Sequence, residues 1–75
     1  MRALPAVSGR AVIAALERAD FEVIRTKGSH HFLRHRNDPS RQTVVLVHRN
    51  ELPPGTLRAI LRQARIGRAE FLDLL

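Results

Sequence analysis

The chain has 75 residues, 13 Lys+Arg against 7 Asp+Glu, and a formal net charge of +6. That length holds one small domain, 1–75, with a thin core, and the absence of cysteine excludes disulfide staples and thiolate zinc sites. No apolar run approaches the ~18 residues of a bilayer span, so a membrane protein is excluded too. The 44% hydrophobic and 27% charged content suits a folded domain rather than a disordered one.

Met1-Arg2-Ala3-Leu4-Pro5 has one basic residue but no apolar stretch behind it, so no signal peptide is expected, and the cytoplasm is the expected compartment. Ser8 is a good N-cap, because its hydroxyl can accept a free backbone N–H of a first helical turn. Val12, Ile13, Leu16 and Ala19 then recur at helical spacing, and Asp20 ends that helix. Phe21 to Lys27 reads as a strand rich in Phe, Val, Ile and Thr. Gly28-Ser29 is a two-residue turn, and His30 to Arg36 is a second strand. A polar loop over 37–41, opened by Asp38-Pro39, leads to a third strand from Gln42 to His48. Its run Thr43-Val44-Val45-Leu46-Val47 lacks alternation, which predicts burial on both faces, the second by a partner. Pro53-Pro54-Gly55-Thr56 opens a second helix with Leu57, Ile60, Leu61 and Ala64 on its apolar face. Gly67 breaks it, and Arg68 to Leu75 is expected to form a short last helix with Phe71, Leu72, Leu74 and Leu75 available for packing.

The predicted class is α+β, ordered α-β-β-β-α with a short extra C-terminal helix. Its natural layering is a three-stranded antiparallel sheet with helices on one face, the layout of a double-stranded-RNA-binding-like domain.

Twelve of the 13 cations are Arg, and only Lys27 is Lys. The guanidinium fork grips phosphate with two hydrogen bonds, so the bias suits a phosphate-rich partner; a GC-rich genome would produce the same bias. The densest chemistry lies in Lys27-Gly28-Ser29-His30-His31: a cation, a glycine turn, a hydroxyl and two imidazoles. Histidine is the side chain best suited to moving protons near neutral pH. Adjacent strand residues point to opposite faces, so only one of His30 and His31 can serve a given site. If Arg36 faces Gln42 across the loop, His30 lies opposite His48, and the two form a possible acid–base pair. A metal site is not expected: His31 and His35 share a face but stand roughly 13 Å apart along the strand. Phe21, Phe32 and Phe71 are expected to serve the core rather than stack on bases.

Taken together, the motifs resemble the HicA toxins of type II toxin–antitoxin modules. The resemblance starts at Leu4-Pro5-Ala6-Val7-Ser8-Gly9-Arg10. It continues through Lys27-Gly28-Ser29-His30-His31, His35, and His48 with Glu51-Leu52. It ends in Pro54-Gly55-Thr56-Leu57-Arg58-Ala59-Ile60-Leu61-Arg62-Gln63-Ala64 and Glu70-Phe71-Leu72. Two departures stand out: Asp20 and Arg65 occupy positions where such sequences usually carry glycine. The resemblance implies a metal-independent endoribonuclease acting on mRNA, with no cofactor and with His30 as the catalytic histidine. It also implies a HicB-like antitoxin that silences the toxin, with DNA engaged only indirectly through that antitoxin. Lys27, Gly28, Ser29 and His31 are the candidate phosphate- and RNA-binding residues. The competing readings are a non-catalytic RNA- or DNA-binding domain and an interaction module that docks an acidic protein.

Overall fold

A computed structural model describes residues 3–75; Met1 and Arg2, which begin the segment judged not to be a signal peptide, lie outside them. Helix α1 (Gly9–Arg18) is followed by strands β1 (Phe21–Lys27), β2 (His30–His35) and β3 (Gln42–Leu46), then helices α2 (Pro54–Ala64) and α3 (Arg68–Leu74). The strands form one antiparallel sheet in the order β1-β2-β3, so β2 is central. This is the expected α-β-β-β-α order with its extra C-terminal helix.

Local chemistry explains the element ends. The Ser8 hydroxyl accepts the Ala11 N–H at 3.1 Å and caps α1. Gly28 has φ +57° and Ser29 is not in the left-handed region, the pattern of a type II′ hairpin turn. Asp38 starts the β2–β3 loop by accepting hydrogen bonds from both the backbone N–H and the hydroxyl of Ser40.

The core lies between one sheet face and the helices. Val12, Ala15 and Leu16 of α1, Phe21, Leu33 and Val45 of the sheet, and Leu57, Ile60, Leu61 and Ala64 of α2 are all buried, joined by Phe71 of α3. Thr43, also buried, donates its hydroxyl to the Gln63 side-chain carbonyl at 2.7 Å, tying β3 to α2. The periodicity located most of the helical faces; Ala15 is a core residue it did not single out.

Three expectations are corrected. β2 stops at His35 and β3 at Leu46, one and two residues short of the predicted ends. β3 ends there because Leu46 pairs with His30, the first residue of β2, and the chain beyond it faces only the Gly28-Ser29 turn. The N-terminus of α1 packs against this end, where a Cβ on Gly9 would collide with the Leu46 carbonyl oxygen. The helices cover one face of the third strand, with Val45 fully buried, and leave Val44 on the other face 37% exposed, the face for which a partner is expected. Finally, α2 ends before Gly67. Arg65 takes the left-handed conformation (φ +59°), its N–H bonds the Arg62 carbonyl, and the Ile66 N–H reaches back to the Leu61 carbonyl. That is a Schellman closure, with Ile66 buried against the end of the helix. Gly67 instead precedes α3 as its N-cap.

Candidate active site

The sheet has a helix-facing side and an open side. On β2, Leu33 is buried under the helices, so His31 and His35 share that side while His30, Phe32 and Arg34 point the other way. The two histidines of the turn motif are therefore divided between faces, as strand alternation requires.

The ladder assigns each row. Lys27 pairs with His30 and His30 with Leu46; Arg25 pairs with Phe32 and Phe32 with Val44; Glu22 pairs with Arg34 and Arg34 with Gln42. These three rows make the open face. Directly opposed residues on one face hold their Cβ atoms about 4.5–5.5 Å apart, so Lys27 and His30 flank the same spot beside the Gly28-Ser29 turn.

A β-bulge makes this arrangement possible. The β1–β2 register shifts between Val23 and Arg25, leaving Ile24 unpaired and 43% exposed. Residues Phe21 and Val23 precede the bulge on the helix-facing side. Without the extra residue Arg25 and Lys27, of the same parity, would continue there. The bulge moves both to the open face, next to Phe32 and His30. Nothing in the strand pattern of 21–27 signals it; no glycine or proline marks the position.

The remaining sequence-nominated residues fall as follows. His31 is half-buried, and its Nδ1–H donates to the Ser29 carbonyl at 3.3 Å. The same carbonyl accepts the Val47 N–H at 2.9 Å, so His31 braces the turn from beneath. His35 is a structural residue: its ring meets Phe21 edge-on, with centroids 5.1 Å apart, and its Nδ1 accepts the Asn37 N–H. His30 is exposed and makes no side-chain hydrogen bond among the described residues. The anticipated pairing of His30 with His48 does not form. Leu46 lies opposite His30, and His48 sits two residues past the end of β3, exposed. The assumed register was displaced because β2 ends at His35 and the turn begins earlier.

Phe32 departs from the expectation set for it. Phe21 and Phe71 are fully buried, but Phe32 lies half-buried on the open face, with the Arg25 guanidinium carbon 4.4 Å from its ring centroid. Among the described residues, no three His, Asp or Glu side chains gather as metal ligands. No helix there is long and apolar enough to cross a membrane.

A family model described as the HicA toxin of bacterial toxin–antitoxin systems matches residues 9–66. The chain belongs to the HicA toxin family. The matched span includes both the Lys27–His31 motif and the Pro54–Ala64 helix. The Leu4-Pro5 opening and Glu70-Phe71-Leu72, which also carried the HicA resemblance, lie outside it. No curated protein sequence matches the chain.

Proposed function

We propose that this HicA-family chain is a single toxin domain acting as a metal-independent endoribonuclease on mRNA in the cytoplasm, with His30 as its proton-transfer group. The observation that supports this most directly is the Lys27–His30 pair: an uncommitted imidazole and an ammonium in register, on a helix-free face, beside a glycine turn. RNA carries its own nucleophile. His30 takes the proton of a ribose 2′-OH as that oxygen attacks the adjacent phosphorus. The P–O5′ bond breaks, and the 5′ oxygen leaves with a proton drawn from solvent. The products end in a 2′,3′-cyclic phosphate and a 5′-OH. Lys27 neutralises charge building on the phosphoryl oxygens, and the Gly28-Ser29 turn lets the backbone come close to phosphate. In-line attack needs a mobile backbone, which favours single-stranded RNA.

His31 supports the site through the turn rather than by reaching substrate. His48 has no place in this scheme, since the ladder gives it no pairing with His30. A HicB-like antitoxin would silence the enzyme by covering the open face, and DNA would be met only through that antitoxin.

The test is RNA cleavage by purified protein in the presence of a chelator. Wild type is expected to yield cyclic-phosphate ends, and His30→Ala to lose activity by about 10²–10⁴-fold, the usual contribution of general acid–base catalysis. RNA binding by wild type without cleavage would instead establish the non-catalytic binder. Cleavage by His30→Ala at the wild-type rate would remove His30 from the mechanism.

A further inference from the structure

Phe32 is an aromatic ring on a face that no helix covers, in a chain whose two other Phe residues are fully buried. Its nearest described company is chemically particular. Arg25 lays its guanidinium over the ring, and the exposed Val44 flanks it on β3. On the central strand it is followed on the same face by Arg34 and preceded by His30. The face thus carries Lys27, Arg25, His30 and Arg34, with Glu22 as its one acid among the ladder rows, and that acid is within 3.9 Å of Arg36. Apolar ring, planar cation and surrounding positive charge are what an unpaired base and its phosphates require. An apolar protein surface would gain little from the cations, whereas a nucleotide uses all of them.

We propose that Phe32 and Arg25 form a base-stacking subsite next to the reacting phosphate. His30 and Phe32 are two residues apart on one strand face, roughly 6.6 Å, within the reach of one nucleotide. A phosphate held between Lys27 and His30 places the attached base over the Arg25–Phe32 pair. Arg25 is an exposed residue, so a base can continue the stack that its guanidinium begins on Phe32. The β-bulge at Ile24 serves both functions at once, because it brings Lys27 and Arg25 to the open face together. Every base has a π-face, so the subsite positions substrate without selecting sequence.

This inference rests on the ribonuclease reading but can fail separately from it. The chain has no Trp and no Tyr, so Phe32→Trp installs a single reporter at the subsite. The probe is a 2′-O-methyl oligoribonucleotide, which lacks the nucleophile and is not cleaved. Its binding is compared with that of inorganic polyphosphate, a polyanion without bases. The expected results are quenching of the Phe32→Trp fluorescence by the oligomer but not by polyphosphate. Phe32→Leu should weaken the oligomer about tenfold or more and leave polyphosphate affinity unchanged. Arg25→Gln should weaken both, the oligomer more. If wild type cleaves RNA while Phe32→Leu binds the oligomer normally and the Trp stays unquenched, the subsite is overturned and the ribonuclease reading stands. If wild type neither binds nor cleaves RNA, both fall. If Phe32→Leu spares RNA but weakens a co-expressed acidic antitoxin, the ring belongs to a protein contact and the subsite is overturned.

Discussion

Asp20 and Arg65 show how single residues carry cost in this fold. Both have positive φ, +70° and +59°, and both follow helices, in the left-handed region that glycine enters most readily. A left-handed backbone costs an ordinary L-residue about 1–2 kcal/mol, less for Asp. Arg65 recovers little of this through its ion pair with Asp38, which is 3.6 Å long and largely solvent-exposed. Arg65→Gly is therefore expected to stabilise the protein by about 0.5–1 kcal/mol, seen as a higher melting temperature, and Asp20→Gly by less. An unchanged or lower midpoint for Arg65→Gly would show that the ion pair matters more than the backbone. Gly9 presents the opposite case. Its α-carbon abuts the end of β3, so a methyl would strike the Leu46 carbonyl oxygen and crowd the Val47 α-carbon at 3.2 Å. Gly9→Ala should destabilise by about 2 kcal/mol or more despite the better helix propensity of alanine. Gly55→Ala is the control: its Cβ would meet only the flexible end of Arg58 at 3.8 Å. Equal melting temperatures for the two variants would contradict the steric account.

Elements are held at their ends by side chains the composition had suggested for phosphate. Arg18 donates to the Leu74 carbonyl at 2.7 Å, closing the end of α3. Arg41 donates to the Ala64 carbonyl at 2.8 Å, closing α2, and lies over the Phe21 ring. Both satisfy carbonyls that a helix terminus leaves open. The β2–β3 loop also tunes a carboxylate, that of Asp38. The Ser40 hydroxyl bond, the largest effect, holds the Asp38 carboxyl below its ordinary value; desolvation, the next largest, opposes it, and the Ser40 N–H, Arg65 and Arg41 each add a smaller lowering. A carboxylate depressed in the folded state adds stability above its unfolded pKa and loses it as pH falls through the folded value. Wild type should therefore lose stability relative to Asp38→Asn only below the ordinary carboxylate range. The check is the difference in denaturation midpoint between the two proteins, followed from neutral pH to pH 3. A difference that stays constant down to pH 3 would rule out this contribution.

Across the whole molecule, seven of the 13 cations fall into two groups with different uses. Arg18, Arg36, Arg41 and Arg65 are engaged with carbonyls or carboxylates of the fold. Arg25, Lys27 and Arg34 are gathered on the open sheet face. RNA affinity should consequently fall with salt, with a slope near −0.7 per phosphate neutralised for a single strand. Lys27→Gln should reduce that slope by about one contact, read from oligomer binding across a salt series. Arg41→Gln should leave the slope unchanged, although it weakens the α2 terminus and lowers the melting temperature. The reverse pattern would move the RNA contact off the open face.

Much was legible in the order of residues alone. Apolar spacing located α1 and α2, the β-rich runs located the strands, and Ser8 and Gly28 marked a cap and a turn, because these depend on local chemistry. The Lys27–His31 motif could be recognised for the same reason: its members are contiguous. Which of its residues share a face was decided elsewhere. Strand alternation separated His30 from His31, but only the bulge at Ile24 set Lys27 and Arg25 beside His30 and Phe32, and a bulge reflects pairing with β2 rather than the composition of β1. Likewise the loss of the His30–His48 pairing follows from the β2–β3 register, which sets Arg34 rather than Arg36 opposite Gln42 and so Leu46 opposite His30. Phe32 could not be told from a core phenylalanine until the helices had chosen their side of the sheet. Local propensity determined the elements; long-range packing decided which face of the sheet stayed open and what stands on it.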